Sequence, residues 1–303
     1  MPLSSITIAD LPRLRAVRPD AVAQAAAARR RRPLLDPATN RLLIVAADHP
    51  ARGALAVGGD RLAMANRADL LARLCLALSR PGVDGVLATA DVLEDLLLLG
   101  ALDEKVVMGS MNRGGLAGSA FELDDRFTGH RAEDLARLRF DAGKLLLRID
   151  YDDPGSLRTL ESAAHAVDAM AALRLPLFVE PFISHRVDGR VRNDLGLEAV
   201  TRSIAIASGL GGTSAYTWLK LPVTEDPDDM GPALEASTLP TVLLGGEIGT
   251  HPGAQEAAYA KWAKALRLPT VHGMVVGRSL LYPSDGDVQS AVDTAVALLA
   301  DAA

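Results

Sequence analysis

Short apolar runs alternate with longer amphipathic segments from residue 41 to the end of the chain. The apolar runs predict strands at Leu42–Ala47, Gly85–Ala88, Val106–Gly109, Leu145–Ile149, Leu177–Val179, Trp218–Val223, Val242–Leu244 and Gly273–Val276. Leucine or alanine at helical spacing predicts helices at Ala68–Ser79, Arg131–Arg139, Leu157–Leu173, Leu197–Ser208, Glu256–Leu266 and Val288–Leu299. Eight strand–helix units in about 260 residues predict an α/β fold, the (β/α)8 TIM barrel, which usually takes about 250 residues. An open doubly wound sheet is the alternative, but no G-x-G-x-x-G motif follows the first strand.

The first 40 residues precede this pattern and predict a helical extension. We therefore divide the chain into an N-terminal extension, 1–40, and a barrel catalytic domain, 41–303. Within the extension, Asp20–Arg32 predicts an alanine-rich helix that ends in four arginines and is stopped by Pro33. We expect these arginines to be solvated near the negative pole of the helix dipole, with a nucleic-acid contact as the alternative.

Composition narrows the class of protein. The chain is 49% hydrophobic with a net charge of −6, which suits a folded core and offers no positive field for nucleic acid. A single cysteine, Cys75, excludes an internal disulfide framework, and no HxH or HExxH motif predicts a metal. No apolar run reaches the ~18 residues of a membrane span. We expect a soluble cytoplasmic protein without a metal or cofactor; whether it forms a homo-oligomer is left open.

The most informative stretch is Tyr216–Val223, where Lys220 interrupts an apolar strand. A buried ammonium costs several kcal/mol unless it is paired or neutralised, so this lysine should have a partner or a lowered pKa. A neutral amine at the end of a buried strand can attack a carbonyl and form a Schiff base. The alternative is a strand-end lysine whose stem packs and whose head reaches solvent.

Glu180 is the second anomaly, because it follows three apolar residues on the fifth strand. The fourth strand carries Lys144, Arg148 and Asp150, which alternation turns to one side. Glu180 would then have a cation on each side, Lys144 and Lys220, and could transfer protons. The alternatives are a purely structural ion pair for Glu180 and an exposed, strand-initial position for Lys144.

Two further polar residues follow the ends of other strands. Asp48 ends the first strand and could fix a substrate hydroxyl, or could instead cap a helix or brace a loop. Arg113, after the third strand, is a candidate ligand for a phosphate or carboxylate, or a salt-bridged loop arginine.

The long polar loop that contains His185 and Arg186 could form a lid.

Glycines follow the seventh and eighth strands, where TIM barrels commonly bind phosphate. The seventh strand ends in Gly245-Gly246-Glu247 and the eighth in Gly277-Arg278. The glycines allow close backbone approach, and Arg278 adds a bidentate donor. This pairing predicts a phosphorylated ligand, with packing glycines as the alternative.

These positions carry a family resemblance over residues 40–303. The matching residues are Asp48, Lys144, Glu180, Lys220 in a Lys-x-Pro-Val context, and Gly277-Arg278. In this order they resemble the class I tagatose-bisphosphate aldolases of the deoxyribose-phosphate aldolase superfamily. The resemblance implies that Lys220 forms the Schiff base and that Glu180 and Lys144 assist it.

The chain departs from that family at two places. Its first loop reads Asp-His-Pro where tagatose-bisphosphate aldolases have Asp-Gln-Arg-Gly. The Gly245-Gly246-Glu247 motif is closer to archaeal-type fructose-bisphosphate aldolases, which have a tyrosine where this chain has Glu180. Together these features indicate a divergent member with its own substrate.

The predicted activity is that of a class I aldolase, a metal-independent aldehyde-lyase acting on a phosphorylated sugar or sugar acid. Lys220, Glu180, Lys144 and Asp48 are the predicted catalytic residues, and Gly245, Gly246, Gly277, Arg278, Arg113 and Arg148 the predicted substrate- and phosphate-binding residues. Lys144, if protonated, would keep the Lys220 amine neutral. The alternatives are a phosphate-binding isomerase or synthase without a covalent intermediate, and a non-catalytic sugar-phosphate sensor.

Overall fold

Eight parallel strands close into a barrel in the computed structural model, which describes residues 6–35, 37–246 and 253–302. The strands are β1 (Leu42–Ala46), β2 (Gly85–Ala88), β3 (Val106–Ser110), β4 (Ala142–Ile149), β5 (Leu177–Val187), β6 (Arg190–Asn193), β7 (Thr217–Leu221), β8 (Thr241–Leu244) and β9 (Val271–Val276). All except β6 belong to the barrel, which the pairing of β4 with β5 closes. The predicted TIM barrel is therefore confirmed, and the sixth barrel strand is β7.

Helices cover the outside of the barrel and form part of the segment before it. They are α1 (Leu11–Val17), α2 (Ala21–Ala28), α3 (Arg67–Ser79), α4 (Ala90–Leu98), α5 (Ala132–Arg137), α6 (Gly155–Ala172), α7 (Leu197–Ser208), α8 (Met230–Leu234), α9 (Ala254–Ala265), α10 (Arg278–Leu281) and α11 (Val288–Ala300). Each of the six predicted helices is present with ends shifted by at most two residues. Among the described residues, no helix is long and apolar enough to cross a membrane.

The barrel interior is apolar in its lower part and polar directly above. Its apolar layer is a cluster formed by Leu42, Ile44, Ala46, Leu87, Val106, Met108, Ala142, Phe178, Val242 and Val275. Because side chains alternate along a strand, residues two positions after these point inward one layer higher. That higher layer contains Asp48, Ser110, Lys144 and Glu180, each two residues after a member of the apolar cluster.

The arginine run that follows α2 closes the other end of the barrel. Arg29 is buried and pairs with Asp141, which also binds Arg31. Arg32 pairs with Asp84 at 2.6 Å. Leu34 and Leu35 then pack against the apolar layer from below.

The prediction of a helix through Arg32 with solvated arginines was therefore wrong: α2 ends at Ala28, and three of the four arginines are at most half exposed and ion-paired. Carboxylates at the starts of β2 and β4 compensate their charge better than a helix end would. The boundary between an extension and a barrel domain at residue 40 stays a prediction.

The polar segment after the fifth barrel strand is a hairpin and not the predicted loop. β5 continues to Val187 and pairs antiparallel with β6. The turn residues Asp188 and Gly189 both have positive φ, 49° and 74°, as a two-residue type I′ turn requires. Arg186 fastens the hairpin by bonds to Asp153 and to the carbonyl oxygen of Ala120.

Candidate functional site

Glu180 lies between two lysines in the polar layer of the barrel. The Lys220 Nζ donates a hydrogen bond to Oε1 of Glu180, and the Lys144 Nζ contacts Oε2. All three residues are at least nine-tenths buried. The expected arrangement, with a cation on each side of Glu180, is present. Both alternatives that put a lysine head in solvent are wrong. Lys144 lies inside β4, which begins at Ala142, and Lys220 is only 6% exposed.

Asp48 extends this cluster from the other side of the barrel. Its Oδ2 lies 3.3 Å from the Lys144 Nζ and accepts a hydrogen bond from Ser110 Oγ at 3.2 Å. The same oxygen contacts the guanidinium of Arg113. Asp48 is 3% exposed, so these contacts replace the water that a carboxylate otherwise requires. The five residues Asp48, Arg113, Lys144, Glu180 and Lys220 are called the lysine cluster below.

Burial controls the protonation of the lysine cluster. Burial lowers the pKa of Lys220 and, together with the charge of Arg113, lowers the pKa of Lys144 well below its usual range. Burial alone would raise the pKa of Glu180, but the charges of Lys144 and Lys220 outweigh it and hold that pKa well below normal. Glu180 is therefore a carboxylate at neutral pH.

The charge balance of the cluster indicates that one lysine is neutral. With both lysines protonated, three cations, Arg113, Lys144 and Lys220, face two carboxylates, Asp48 and Glu180. Loss of one proton makes the buried cluster neutral, and low dielectric favours that state. The two amines share one carboxylate, so their protons are lost as a coupled pair. This cluster can supply an uncharged amine and an adjacent charged acid–base group.

Arg148 points inward like Lys144 but is held elsewhere. Its guanidinium bonds Oε1 of Glu122 at 2.6 Å and the Glu122 carbonyl oxygen at 2.8 Å. Arg52 approaches the same carboxylate at 3.6 Å. Arg148 thus connects β4 to the loop after β3, and Arg113 is likewise ion-paired. A ligand would have to compete with these carboxylates for either arginine.

The glycines after β8 and β9 lie at the mouth of the barrel, where Gly245 and Gly277 pack tightly against neighbouring protein, as the alternative of packing glycines predicts. A Cβ on Gly245 would lie 2.6 Å from Cγ1 of Val276, and one on Gly277 would lie 2.6 Å from the carbonyl oxygen of Ala46. Gly246 has a φ of 63°, which favours glycine. Arg278 starts α10 and bonds the carbonyl oxygen of Ala56 at 3.4 Å. Glu247 of the predicted motif lies outside the described residues.

Sequence reasoning missed three polar residues around the cluster. Ser110 could have been found, because it ends β3 at an inward position. Asn112 is fully buried and bonds the backbone N–H and C=O of Leu146. Glu122 lies in a long irregular loop where no periodic pattern predicts its direction. In the described part of the chain, no group of His, Cys, Asp or Glu is arranged to hold a metal ion.

Comparisons with known proteins show the family to which the chain belongs. A family profile described as Cgl0159-like matches residues 40–296. The crystal structure of Cgl0159 from Corynebacterium glutamicum is 52% identical, covers 98% of each chain and has a TM-score of 0.92. No curated protein matches the chain.

More distant solved structures share the fold. An archaeal fructose 1,6-bisphosphate aldolase is 19% identical with a TM-score of 0.66, over 92% of this chain and 98% of that one. The fructose-bisphosphate aldolase of Slackia heliotrinireducens is 13% identical with a TM-score of 0.59, over 99% of this chain and 95% of that one. The chain belongs to the Cgl0159-like family, whose barrel is structurally related to the archaeal class I fructose-bisphosphate aldolases.

Proposed function

We propose that the protein is a class I aldolase that makes or breaks a carbon–carbon bond in a phosphorylated sugar or sugar acid through a Schiff base on Lys220. The observation that carries this proposal is the buried contact between the Lys220 amine and the Glu180 carboxylate. A dry amine with a lowered pKa is a nucleophile at neutral pH, and the carboxylate beside it can accept and return protons. We further propose that the protein is a divergent member of the superfamily that contains the deoxyribose-phosphate and tagatose-bisphosphate aldolases.

The first half of the reaction joins the substrate to the enzyme. The neutral Lys220 nitrogen attacks the carbonyl carbon, and the carbonyl oxygen takes a proton from water, which gives a carbinolamine whose nitrogen still carries two protons. Glu180 accepts a proton from the nitrogen and delivers one to the hydroxyl, which leaves as water. An iminium remains, with its positive charge beside the Glu180 carboxylate. The two lysines titrate as a coupled pair, and the proposal places the one proton that they retain on Lys144, which contacts Asp48 as well as Glu180 and keeps Glu180 ionised between these transfers.

The second half breaks the carbon–carbon bond. A base removes the proton of the β-hydroxyl group, and a carbonyl forms there as the bond between the α and β carbons breaks. The electron pair of that bond moves to the iminium, which becomes an enamine. Glu180 is assigned to the proton transfers, and Asp48 to orienting the substrate hydroxyls. Protonation of the enamine and hydrolysis of the new iminium then free Lys220.

The anionic end of the substrate is assigned to the glycines after β8 and β9. Gly246 is open at its Cβ position, with no atom nearer than 4.0 Å, and Arg278 contributes a positive charge at the same mouth. Gly245 and Gly277 are packed against Val276 and Ala46, so they would contribute only their backbone N–H groups. Arg113 and Arg148 are assigned to a second polar end of the substrate, in exchange for part of their contacts with Asp48 and Glu122. An archaeal aldolase of this fold is described with its catalytic lysine bound to the carbinolamine intermediate, which supports the same chemistry here.

Borohydride trapping tests the proposal. The protein is incubated with phosphorylated ketoses, reduced with borohydride, and analysed by intact mass and peptide mapping. We expect one stable adduct per chain, located on Lys220, and none in Lys220→Met. Lys264→Met is the matched control, because Lys264 is about half exposed and pairs with Asp228, outside the lysine cluster. An adduct on Lys144, or no adduct across the panel, would overturn the assignment.

A further inference from the structure

His49 lies at the mouth of the barrel between the lysine cluster and the glycine loop after β9. It directly follows Asp48, and its Nδ1 is 3.8 Å from Asp48 Oδ1, too far for a hydrogen bond. On its other side the ring packs against Gly277, where a Cβ would lie 2.9 Å from His49 Cε1. The position therefore touches both parts of the proposed substrate site.

The Nδ1 atom of His49 has no hydrogen-bond partner although it is buried. An unsatisfied buried polar atom costs roughly 1–3 kcal/mol, so its persistence needs a reason. Asp48 does not supply the partner in this arrangement, because its Oδ1 lies 3.8 Å away and its Oδ2 bonds Arg113, Lys144 and Ser110 instead. A bound molecule that enters the mouth would reach this ring.

The groups that face His49 keep its imidazole uncharged. Burial, followed by the positive charges of Arg278, Lys220 and Lys144, lowers the pKa of His49 to about 3, against a weaker opposite effect of Glu180. Asp48 on the same loop is neutralised by its own cations. A neutral imidazole carries one N–H donor and one acceptor, and it can polarise an oxygen without giving up its proton.

We propose that His49 donates a hydrogen bond to the carbonyl oxygen of the substrate while Lys220 attacks the carbonyl carbon. This assignment rests on the proposed aldolase function and deepens it. β1 lies across the barrel from β5 and β7, so a carbonyl held against Lys220 and Glu180 turns its opposite side toward His49. The hydrogen bond stabilises the charge that develops on that oxygen as the carbon–nitrogen bond forms. His49 transfers no proton, so the proton balance of the reaction is unchanged.

Two variants separate hydrogen bonding from packing. His49→Gln keeps an N–H donor of similar reach, whereas His49→Leu fills the space without a donor. With dihydroxyacetone phosphate as the probe, we expect His49→Leu to slow formation of the borohydride-trapped Lys220 adduct about 100-fold, as loss of one such donor does elsewhere. His49→Gln should recover at least part of that rate. His165→Gln, on the exposed face of α6, is the control and should react like the wild type.

A second measurement does not depend on turnover. In ¹⁵N-detected NMR of the ligand-free protein, the His49 signals are identified by their loss in His49→Gln. We expect a neutral imidazole from pH 8 down to pH 5.5. Titration of His49 between pH 6 and 7, a wild-type trapping rate in His49→Leu, or equal slowing in both variants would overturn the assignment. Absence of any adduct on the wild type would instead overturn the aldolase proposal itself, and the two failures are therefore distinguishable.

Discussion

Glu180 is the residue on which the electrostatics of the lysine cluster depend. A carboxylate this deeply buried ordinarily gains a proton, yet the two lysine amines on its two oxygens keep it charged. The same contacts hold both amines in place. Removal of the Glu180 charge therefore changes the protonation of three groups at once, and its effect is larger than that of a surface ion pair.

The Glu180→Gln variant tests this dependence. We expect its rate of Lys220 adduct formation to fall at least about 100-fold, because the proposed proton-transfer group is lost. Its free energy of unfolding should fall by about 3 kcal/mol at pH 7, since two buried amines lose their only shared carboxylate. That loss should shrink at pH 9, where the lysines are more easily neutral. Urea unfolding at both pH values measures this.

Glu198→Gln is the matched control for this variant. Glu198 is 84% exposed and pairs with Arg202 on α7, so we expect wild-type stability and activity. If Glu180→Gln behaves like this control in urea, the buried ion pairs do not hold the site together.

At the scale of elements, the segment that follows α2 closes the barrel end opposite the site. Asp141 joins three elements there: its Oδ2 accepts hydrogen bonds from Arg29 and from the backbone N–H of Val107, and its Oδ1 from Arg31. The Arg29 side chain is 2% exposed, so its charge depends on this partner. Helix propensity predicted a continuous helix through the arginines. Instead α2 ends at Ala28, and Arg29, Arg31 and Arg32 form ion pairs with Asp141 and Asp84 at the end of the barrel opposite the site.

Asp141→Asn should therefore destabilise the protein strongly. We expect a loss of about 3–5 kcal/mol in the free energy of unfolding, because Arg29 stays buried without a charged partner. Guanidinium chloride unfolding, followed by circular dichroism, measures it. Asp103→Asn breaks the exposed pair with Arg30 and should unfold at the wild-type midpoint. Equal effects of the two variants would show that the arginine segment is not fixed by Asp141.

At the scale of the whole molecule, several buried groups bind fewer protons in the folded state than in the unfolded chain. Burial lowers the pKa of His130, whose Nδ1 contacts the Ser110 carbonyl oxygen, and that of His49 to about 3. Glu180 is held ionised by its lysines. For all three, the unfolded chain takes up protons first as the pH falls. Stability must then rise with pH across the acid range.

The pH dependence of thermal unfolding follows from this sign. We expect the unfolding temperature to fall as the pH falls from 7 to 5, because each neutral histidine costs up to about 1.4 kcal/mol per pH unit below its unfolded pKa near 6.5. A further decrease below pH 4.5 is expected as Glu180 must be protonated on unfolding. Calorimetry between pH 4 and 8 measures both steps. If the unfolding temperature of His49→Gln depends less on pH than that of the wild type, part of the decrease between pH 7 and 5 belongs to His49. An unfolding temperature that is constant between pH 5 and 7 would contradict the prediction.

Much of the fold and part of the site could be predicted from the sequence. Strand and helix periodicity depends on neighbouring residues, so it indicated eight barrel strands and their order, and with that order it predicted that Lys144 and Lys220 flank Glu180. The turn at Asp188-Gly189 was also encoded locally, by a dipeptide typical of type I′ hairpins, although the segment was taken for a loop.

Only the tertiary structure decided which charges meet. Arg113 pairs with Asp48, Arg148 with Glu122 and Arg29 with Asp141, across 65, 26 and 112 positions of the sequence. The closure of the barrel and the path of an irregular loop determine these distances, and neither has a periodic signature. The physical reason is that a pattern along the chain records which side of an element faces the core. The electrostatic partner of a buried group depends on where every other element packs.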